Sequence, residues 1–408
     1  MTRRVAITGI GILSSLGRGK AEHLDAVLTA RSGVGWIDRF DTDGFRCRIA
    51  AQVPAAALDD LPRDVDRVTG YALIAAAEAI AQAGLAEAPV SRERIATTIG
   101  TALGGSETLE SSYERLYGNG ETRFHPMTIP RAMYSAPTSA ISARWNARGP
   151  AFAPVSACAS SAHAIGQAAH WIRFGLADAA IAGGADAPIT PGIVRGWEAL
   201  RVLAPGDPTP AAACRPFNAD RAGLVLGEGA AVLVLEDMES ARARGADILG
   251  EIAGFGMTAD AGHLTDPSPE GESRAMRIAL EDGGLDPDAI GYVNAHGTAT
   301  RTNDATESAA IRAVFGAATG AIPVSSTKSM HAHAMGASGA IEIALSLVAL
   351  NEGWLPPTLN LVDPDSACAL RHVPRVAERA DVEAFLSSSF AFGGLNAVLA
   401  ARTARGAA

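Results

Sequence analysis

One cysteine of this sequence lies where a nucleophile could form. Cys158 stands in VSACASSAH (155–163), after a strand-like VSA and before a run of small residues that predicts the start of a helix. The positive end of a helix dipole favours the thiolate, which is the nucleophilic form of cysteine. The alternative is a buried structural thiol, the commoner fate of a free cysteine. Cys47 and Cys214 lack the helix-start context and are assigned to that structural role.

A histidine with polar neighbours follows a second strand-like segment. His296 comes directly after GYVNA, at a strand end where α/β proteins build their sites. Thr298 and Thr300 place two hydroxyl groups in the loop that follows. Asp304 and Glu307 open the next predicted helix, where acidic groups suit the dipole. A single histidine is more often structural than catalytic, so a catalytic role for His296 would need reactive side chains from other segments.

The segment STKSMHAHAMG (326–336) holds an unusual lysine. Only Lys20 and Lys328 are lysines, and the remaining cations are arginines. A lysine offers a compact charge with three rotatable donors, where the wide fork of an arginine would not fit. Lys328 and Glu342 are compatible with an ion pair across this loop. We therefore expect Lys328 to support a site.

Two histidines stand close together in the same segment. His331 and His333 would share a face in a strand and could bind zinc with a third ligand. In a helix or turn they diverge, and only one of them can face a site. No cysteine or carboxylate nearby has a metal-ligand spacing, so no metal is expected. Spacing alone leaves open which of the two histidines faces a site.

A glycine turn near the C-terminus could supply backbone donors. SSSFAFGGLNAVLA (387–400) predicts a strand that runs through Phe390 and Phe392 into Gly393 and Gly394. Backbone N–H groups of such a turn can point into a cavity and stabilise an oxyanion.

The elements that must position these residues recur along the chain. ITGIGILSSLG (7–17) and IAGFGMTADAG (252–262) are similar segments 245 residues apart, each predicted as a strand followed by a glycine loop. Later segments also recur, namely helices 68–85 and 272–285, helices 158–175 and 336–353, and strands 178–186 and 397–401. Alternating strands and helices predict an α/β fold with buried strands. We divide the chain into halves 1–245 and 246–408, each contributing part of one site.

Bulk properties exclude several classes of protein. The formal net charge of -10 argues against nonspecific binding of nucleic acid. No stretch approaches the roughly 18 apolar residues of a membrane span. The N-terminal MTRRVAITGIGILSSLG has glycines within its apolar run and no clear cleavage site, which argues against a signal peptide. A buried parallel strand that leads into a glycine turn is predicted there instead. The four cysteines are widely spaced, so a reduced, cytoplasmic protein is expected.

Taken together, the four segments resemble the elongating β-ketoacyl-acyl-carrier-protein synthases, condensing enzymes of the thiolase superfamily. The resemblance extends to RPFNADRAGLVLGEGAAVLVLED (215–237) and PPTLNLVDPD (356–365). It implies a duplicated five-layer αβαβα thiolase-like fold, usually dimeric. It also implies transfer of an acyl chain from acyl carrier protein to cysteine, followed by decarboxylative condensation with malonyl carrier protein. No cofactor is implied, because decarboxylation drives formation of the carbon–carbon bond.

The resemblance assigns a role to each matching residue. The implied catalytic residues are Cys158 as nucleophile, His296 and His333 as N–H donors to the enolate, and Lys328 as support for the His333 loop. The implied supporting and binding residues are Glu342 as partner of Lys328, Asp304 and Glu307 as ordering groups, Phe392 with Phe390 at the gate and oxyanion hole, and Thr298 and Thr300 as pantetheine contacts. Acidic carrier proteins would meet Arg63, Arg67 and Arg123. The acyl pocket would run toward the dimer interface past Gly104, Gly105 and Ser106.

The sequence departs from the family pattern in two places. His331-Ala332 stands where Thr-Gly or Leu-Gly is usual, and Ala391 and Leu395 replace a glycine and a threonine of the C-terminal motif. Alanine narrows the backbone freedom that glycine allows. These departures indicate a specialised pathway, such as polyketide or polyene assembly, rather than bulk fatty-acid synthesis.

Related functions remain as alternatives. The chain could be the active subunit of a heterodimer with a homologous chain-length factor, or a homodimer. A degradative thiolase normally needs a second cysteine in the C-terminal glycine loop, which this sequence lacks. A chain-initiating enzyme would pair cysteine and histidine with asparagine, and a silent chain-length-factor subunit usually lacks the cysteine. The HAH at 331–333 argues against the chain-initiating enzyme, and Cys158 with both histidines argues against the silent subunit.

Overall fold

A computed structural model describes residues 2–205 and 209–407. The strands are β1 (Val5–Ser14), β2 (Gly17–Arg18), β3 (Gly35–Trp36), β4 (Ile49–Ala50), β5 (Ile95–Gly100), β6 (Ala179–Asp186), β7 (Gly229–Asp237), β8 (Gly250–Ala259), β9 (Ile290–Asn294), β10 (Pro323–Ser325), β11 (Trp354–Leu355), β12 (Arg371–His372), β13 (Glu378–Arg379), β14 (Ala384–Ala391) and β15 (Leu395–Thr403). The α-helices are α1 (Gly19–Leu28), α2 (Arg67–Ala83), α3 (Ser106–Tyr113), α4 (Thr128–Ala132), α5 (Ala136–Trp145), α6 (Ser160–Arg173), α7 (Pro191–Ala199), α8 (Met238–Ala243), α9 (Pro269–Asp282), α10 (Arg301–Phe315), α11 (Lys328–His331), α12 (Ser338–Asn351) and α13 (Ala404–Ala407).

The main sheet is arranged symmetrically about its centre. Its order is β12-β10-β9-β14-β15-β8-β1-β7-β6-β5, with β2 beside β1. Outward from β1, the pairs β1–β7 and β7–β6 are antiparallel and β6–β5 is parallel; outward from β8, β8–β15 and β15–β14 are antiparallel and β14–β9 is parallel. The similar segments at 7–17 and 252–262 therefore form equivalent central strands. The sequence analysis treated 178–186 and 397–401 as equivalent strands of the two halves, and this is wrong. In the sheet, β6 occupies the position equivalent to that of β14, and β7 the position equivalent to that of β15.

Helices separate the sheet into layers. Helices α6 and α12 lie in the middle and contact strands from both halves. Helices α2 and α5 cover the strands of the first half, while α9, with α10 packed on it, covers those of the second. The predicted five-layer αβαβα arrangement is confirmed. No helix within the described ranges is long and apolar enough to cross a bilayer.

The repeated Gly-x-Gly segments serve packing rather than turns. They lie within β1 and β8, so the predicted glycine loops are wrong at these positions. A Cβ added at Gly11 would overlap the carbonyl oxygen of Ala75, and one added at Gly256 would overlap that of Ala275. The glycines therefore let α2 and α9 approach the sheet closely. The prediction of a parallel N-terminal strand is also wrong, because β1 runs antiparallel to its neighbours.

The helix predictions agree with the structure to within a few residues. Helix α2 begins after Asp66, whose side chain accepts a hydrogen bond from the Val68 N–H, and ends at Gly84 with φ 59°. Helix α9 begins after Ser268, whose side chain accepts from the Gly271 N–H. The VSA segment before Cys158 was expected to be a strand, but Val155 and Ser156 have no regular structure and Ala157 begins a 3₁₀ turn.

Candidate active site

A thiol and two imidazoles meet in a buried site. Ligand atoms of Cys158, His296 and His333 all lie within 4.8 Å of one another. The exposed fractions of these residues are 6%, 2% and 2%. Cys158 belongs to the first half of the chain and the histidines to the second, so the fold assembles one site from both halves as the sequence predicted.

Cys158 lies in a short 3₁₀ turn, Ala157–Ala159, that leads into α6. Ala157 has φ 48°, a left-handed conformation that L residues rarely adopt. Burial raises the pKa of the Cys158 thiol to about 12, although Lys328 and the backbone N–H groups of Phe392 and Cys158 act in the opposite direction. The backbone at the helix start thus favours the thiolate, as expected, while desolvation acts against it.

His333 is placed to accept the thiol proton. Its Nε2 lies 3.0 Å from Cys158 Sγ, and its Nδ1 lies 2.8 Å from Ser338 Oγ. We assign the ring proton to Nδ1, which then donates to Ser338 and leaves Nε2 as the acceptor. Burial, followed by the field of Lys328, lowers the pKa of His333 well below its usual value, so the ring is neutral before reaction.

Lys328 acts directly on the other histidine. Its Nζ lies 3.2 Å from His296 Nδ1 and forms an ion pair with Glu342. Because an ammonium only donates, His296 Nδ1 must accept, and the ring proton lies on Nε2. The predicted pairing of Lys328 with Glu342 is confirmed. The charged group of Lys328 contacts His296, and its field also reaches His333, where it helps to lower the pKa. The prediction that Lys328 supports the His333 loop stays a prediction.

The buried charges of Lys328 and Glu342 compensate each other. Lys328 and Glu342 are both fully buried. Burial raises the pKa of Glu342 to about 7, while the positive charge of Lys328 lowers it. Burial and Lys328 also lower the pKa of His296 well below its usual value. His296 is therefore a neutral hydrogen-bond donor through Nε2.

Two acidic residues of α10 hold the loop that carries His296. Glu307 accepts hydrogen bonds from the backbone N–H groups of His296 and Gly297, at 2.6 and 2.8 Å. Asp304 accepts from the Phe217 N–H at 2.8 Å and lies 3.5 Å from the Arg221 guanidinium. Burial raises the pKa of Glu307 to about 8 and that of Asp304 to about 6. Both groups order the backbone, as the sequence predicted, and neither touches the sulfur.

A cavity of about 190 Å³ opens over the sulfur. Its walls include Thr298 and Thr300, whose hydroxyl oxygens lie 2.9 Å apart. Phe390 is buried with its ring centroid 6.1 Å from that of His296. Phe392 lies in the glycine turn after β14, at the more exposed side of the cavity. Loop 104–106 is absent from the described lining, so the predicted acyl path past it stays a prediction.

Comparison with known families covers most of the chain. Residues 2–241 match the family "Beta-ketoacyl synthase, N-terminal domain", and residues 249–362 match "Beta-ketoacyl synthase, C-terminal domain". The chain belongs to the β-ketoacyl synthase family. The resemblance and the condensing activity expected from the sequence are thereby confirmed.

Curated relatives span the full length of this family member. Nodulation protein E of Rhizobium sp. (strain N33) is 44% identical over 406 residues, covering 98% of this chain and 100% of the relative. 3-Oxoacyl-[acyl-carrier-protein] synthase 2 of Staphylococcus aureus (strain COL) is 41% identical over 404 residues, covering 97% of each.

Solved structures of ketosynthases share the same fold. The ishigamide ketosynthase/chain length factor superimposes with a TM-score of 0.93 at 36% identity, covering 99% of this chain and 100% of the other. A type II polyketide synthase acyl carrier protein in complex with its ketosynthase gives a TM-score of 0.91 at 30% identity, covering 99% of this chain and 100% of the matched chain.

Two buried charged residues of this family member escaped the sequence analysis. Asp186, at the end of β6, accepts hydrogen bonds from Thr101 Oγ1 at 2.7 Å and from the Gly336 N–H at 2.6 Å, and so ties the two halves together beside Cys158. Arg221 donates to the carbonyl oxygens of Thr300 and Arg301 behind the cavity, at 3.2 and 2.9 Å. An acidic residue ending an otherwise apolar strand, DAAIAGGAD, was the available signal for Asp186.

The departures from the family pattern lie beside the site. His331 is buried, and its Nε2 lies 3.2 Å from Thr327 Oγ1, so it braces α11 rather than facing the sulfur. Ala332 has φ 58°, the left-handed region that glycine would occupy without strain. Leu395 is partly exposed and opens β15 after the turn.

The predicted carrier contacts differ in availability. Arg63 and Arg123 are exposed. Arg67 is partly buried and forms two hydrogen bonds with the Glu107 carboxylate, at 2.7 and 3.1 Å. The charge of Arg67 is thus engaged within the chain, which makes it the weakest of the three predictions.

The thiol and imidazoles could also be considered as metal ligands. They form the one His, Cys and carboxylate group of suitable size found in ranges 2–205 and 209–407. The ammonium of Lys328 lies 3.2 Å from one of these imidazoles and would repel a cation bound beside it. The donor set therefore suits acyl transfer better than metal binding.

Proposed function

We propose that this β-ketoacyl synthase uses Cys158 to carry the acyl chain during condensation. The observation that carries the proposal is the 3.0 Å contact between Cys158 Sγ and His333 Nε2, with backbone N–H groups of Cys158 and Phe392 facing the sulfur. A thiol of raised pKa needs a base at hydrogen-bond distance, and His333 meets that need.

The first half-reaction is acyl transfer. The Cys158 thiol proton moves to His333 Nε2 as sulfur attacks the thioester carbonyl of an acyl carrier protein. The N–H groups of Cys158 and Phe392 stabilise the oxyanion, and loss of one such donor costs about 3 kcal/mol in other enzymes. The C–S bond to the carrier breaks, and its pantetheine sulfur takes the proton from His333 Nε2 and leaves as a thiol.

The second half-reaction is decarboxylative condensation. A malonyl carrier protein loses CO2, and the electron pair of the broken C–C bond forms an enolate. His296 Nε2–H, with its tautomer set by Lys328, donates to the enolate oxygen. Once acylation has removed the thiol proton, the neutral His333 ring carries its own proton on Nε2, with Nδ1 accepting from Ser338 Oγ, and donates a second N–H. The carbanion attacks the acyl carbonyl, and the C–S bond to Cys158 breaks. The β-ketoacyl chain, two carbons longer, is released on the carrier, and the Cys158 thiolate takes up a proton from water.

Thr298 and Thr300 line the approach to Cys158 and are proposed as contacts of the pantetheine arm. We propose Arg63 and Arg123 as contacts of an acidic carrier protein, since both are exposed. The ketosynthase complex with a carrier protein among the structural neighbours supports a carrier-borne substrate. The four free buried cysteines agree with the proposed cytoplasmic location. The halves 1–245 and 246–408 are proposed as products of duplication, given the symmetric strand order.

A partner subunit is the second element of the proposal. Segment 106–134 exposes several large apolar side chains, namely Tyr113, Tyr117, Met127, Ile129, Met133 and Tyr134. Apolar side chains exposed in this number on one segment are typical of a protein interface. A second copy of this chain or a homologous chain-length-factor subunit would cover it, and the ishigamide ketosynthase/chain length factor among the neighbours supports the second option for polyketide or polyene assembly.

Intact-mass spectrometry tests the nucleophile. Wild type incubated with hexanoyl carrier protein should gain the mass of the acyl group, and Cys158→Ala should gain none. Cys47→Ala, which removes a buried thiol outside the cavity, is the matched control and should acylate normally. Acylation of Cys158→Ala would overturn the assignment. Condensation assayed alone and with a homologous subunit would distinguish a self-sufficient synthase from half of a heterodimer.

A further inference from the structure

Two aromatic rings close one side of the cavity over the nucleophile. Trp197 on α7 and Phe392 in the turn after β14 have ring centroids 5.9 Å apart and planes inclined by 27°. Both rings line the cavity with Cys158 and the two histidines. Phe392 is 37% exposed, and its backbone N–H faces the sulfur. The position of the Phe392 segment therefore affects both access to the sulfur and the oxyanion donor.

The two rings rest on different supports. Helix α7 is held by Glu198, which accepts hydrogen bonds from the backbone N–H groups of Arg46 and Cys47 at 2.6 and 2.7 Å. Phe392 is followed by Gly393 and Gly394, with φ 88° and 69°, in a backbone conformation that glycine adopts freely. Motion of the pair is thus expected from the phenyl side, while the indole stays in place.

The cavity is too small for the substrate in this arrangement. Its volume of about 190 Å³ lies below the roughly 300–1,000 Å³ of ordinary ligand pockets. Trp197 also packs against an apolar cluster that contains Val194 and Met335, and Leu103, which adjoins loop 104–106, packs against the same cluster. The cavity reaches this cluster at Leu224, so movement of an aromatic ring in its wall would enlarge it on that side.

We propose that Trp197 is a latch that holds Phe392 in the closed position until an acyl group reaches Cys158. It is a positioning residue, and it acts through the phenylalanine. The proposal deepens the proposed function and rests on it, because it concerns access of the acyl chain to the same sulfur. An aromatic pair of this kind contributes enough to shift an open–closed equilibrium by about two- to twelve-fold.

The latch can be tested without any carrier protein. Iodoacetamide alkylates Cys158 at a rate that reports how often the gate is open. Trp197→Ala should react about two- to twelve-fold faster than wild type. Trp197→Phe keeps a stacking ring and should return most of the way to the wild-type rate. Trp354→Phe is the matched control, since its ring lies under the Arg379 guanidinium at 3.8 Å and outside the cavity lining.

Tryptophan fluorescence supplies a second readout that a merely structural role would not change. Hexanoylation of Cys158 should alter the emission of wild type and of Trp354→Phe, because Phe392 leaves the indole, and should not alter that of Trp197→Phe. Equal alkylation rates in wild type and Trp197→Ala, or an undiminished fluorescence change in Trp197→Phe, would overturn the latch. Those outcomes would leave acylation of Cys158 intact, whereas failure of the proposed function would abolish acylation in wild type itself.

Discussion

The buried pair of Lys328 and Glu342 permits a prediction that separates stability from catalysis. Both side chains are fully buried, and Lys328 Nζ also donates to His296 Nδ1. Removing one partner of a buried ion pair leaves an uncompensated charge and costs about 3–5 kcal/mol. We therefore expect Glu342→Gln to lower the free energy of unfolding by about 3 kcal/mol or more.

Replacing both partners should have a different result. An apolar pair of similar volume is often neutral for stability, so Lys328→Met combined with Glu342→Leu should recover most of the loss. The double variant nevertheless lacks the donor that sets the His296 tautomer. It should load acyl groups on Cys158 through His333 while losing most condensation. Lys328→Arg keeps the charge, but its larger guanidinium overfills a closed site at a cost of about 1–3 kcal/mol and should also lose most condensation.

Urea unfolding and intact-mass assays of both half-reactions measure these effects. Condensation by the double variant at the wild-type rate would refute the role given to Lys328. An unchanged unfolding free energy in Glu342→Gln would refute the energetic account of the pair. Loss of acyl loading in a stably folded double variant would show that Lys328 is needed in the first half-reaction as well.

Three further predictions concern the rest of the fold. Burial lowers the pKa of His23 to about 4, so as the pH falls below about 6.5 the imidazole is protonated in the unfolded chain but not in the folded one. Between about pH 7 and pH 5, the free energy of unfolding in urea should therefore fall by about 2 kcal/mol more in wild type than in His23→Asn. Glu272 is buried with both carboxylate oxygens unpaired within the described structure, and burial raises its pKa. Ionising this carboxyl in the folded protein therefore costs stability as the pH rises above about 5, and Glu272→Gln should become increasingly more stable than wild type. Equal free energies of unfolding at about pH 8 would contradict this. Gly11→Ala and Gly256→Ala would each overlap a helix carbonyl and should cost about 1–3 kcal/mol or prevent folding, whereas Gly35→Ala meets no atom within 4 Å and should fold normally by thermal melting.

Residue types and local motifs predicted an α/β fold and singled out the candidate residues, while the resemblance to the β-ketoacyl synthases supplied the five-layer arrangement and the residue roles. A cysteine before a small-residue helix, histidines after a strand and in a lysine-bearing loop, and a glycine turn are all encoded within short segments. The repeat of glycines 245 residues apart likewise indicated two similar halves. These features are readable because each depends on neighbours in the sequence.

Only the tertiary structure determined what depends on distant neighbours. Burial by both halves raises the pKa of Cys158, which opposes the effect of its helix start. The fold brings Lys328 to His296 rather than His333, and brings Trp197 to Phe392 across nearly two hundred residues. The strand order in the sheet also showed that segments 178–186 and 397–401 are not equivalent strands of the two halves. Desolvation, contact partners and strand neighbours arise from packing between segments far apart in the chain, and no local pattern records them.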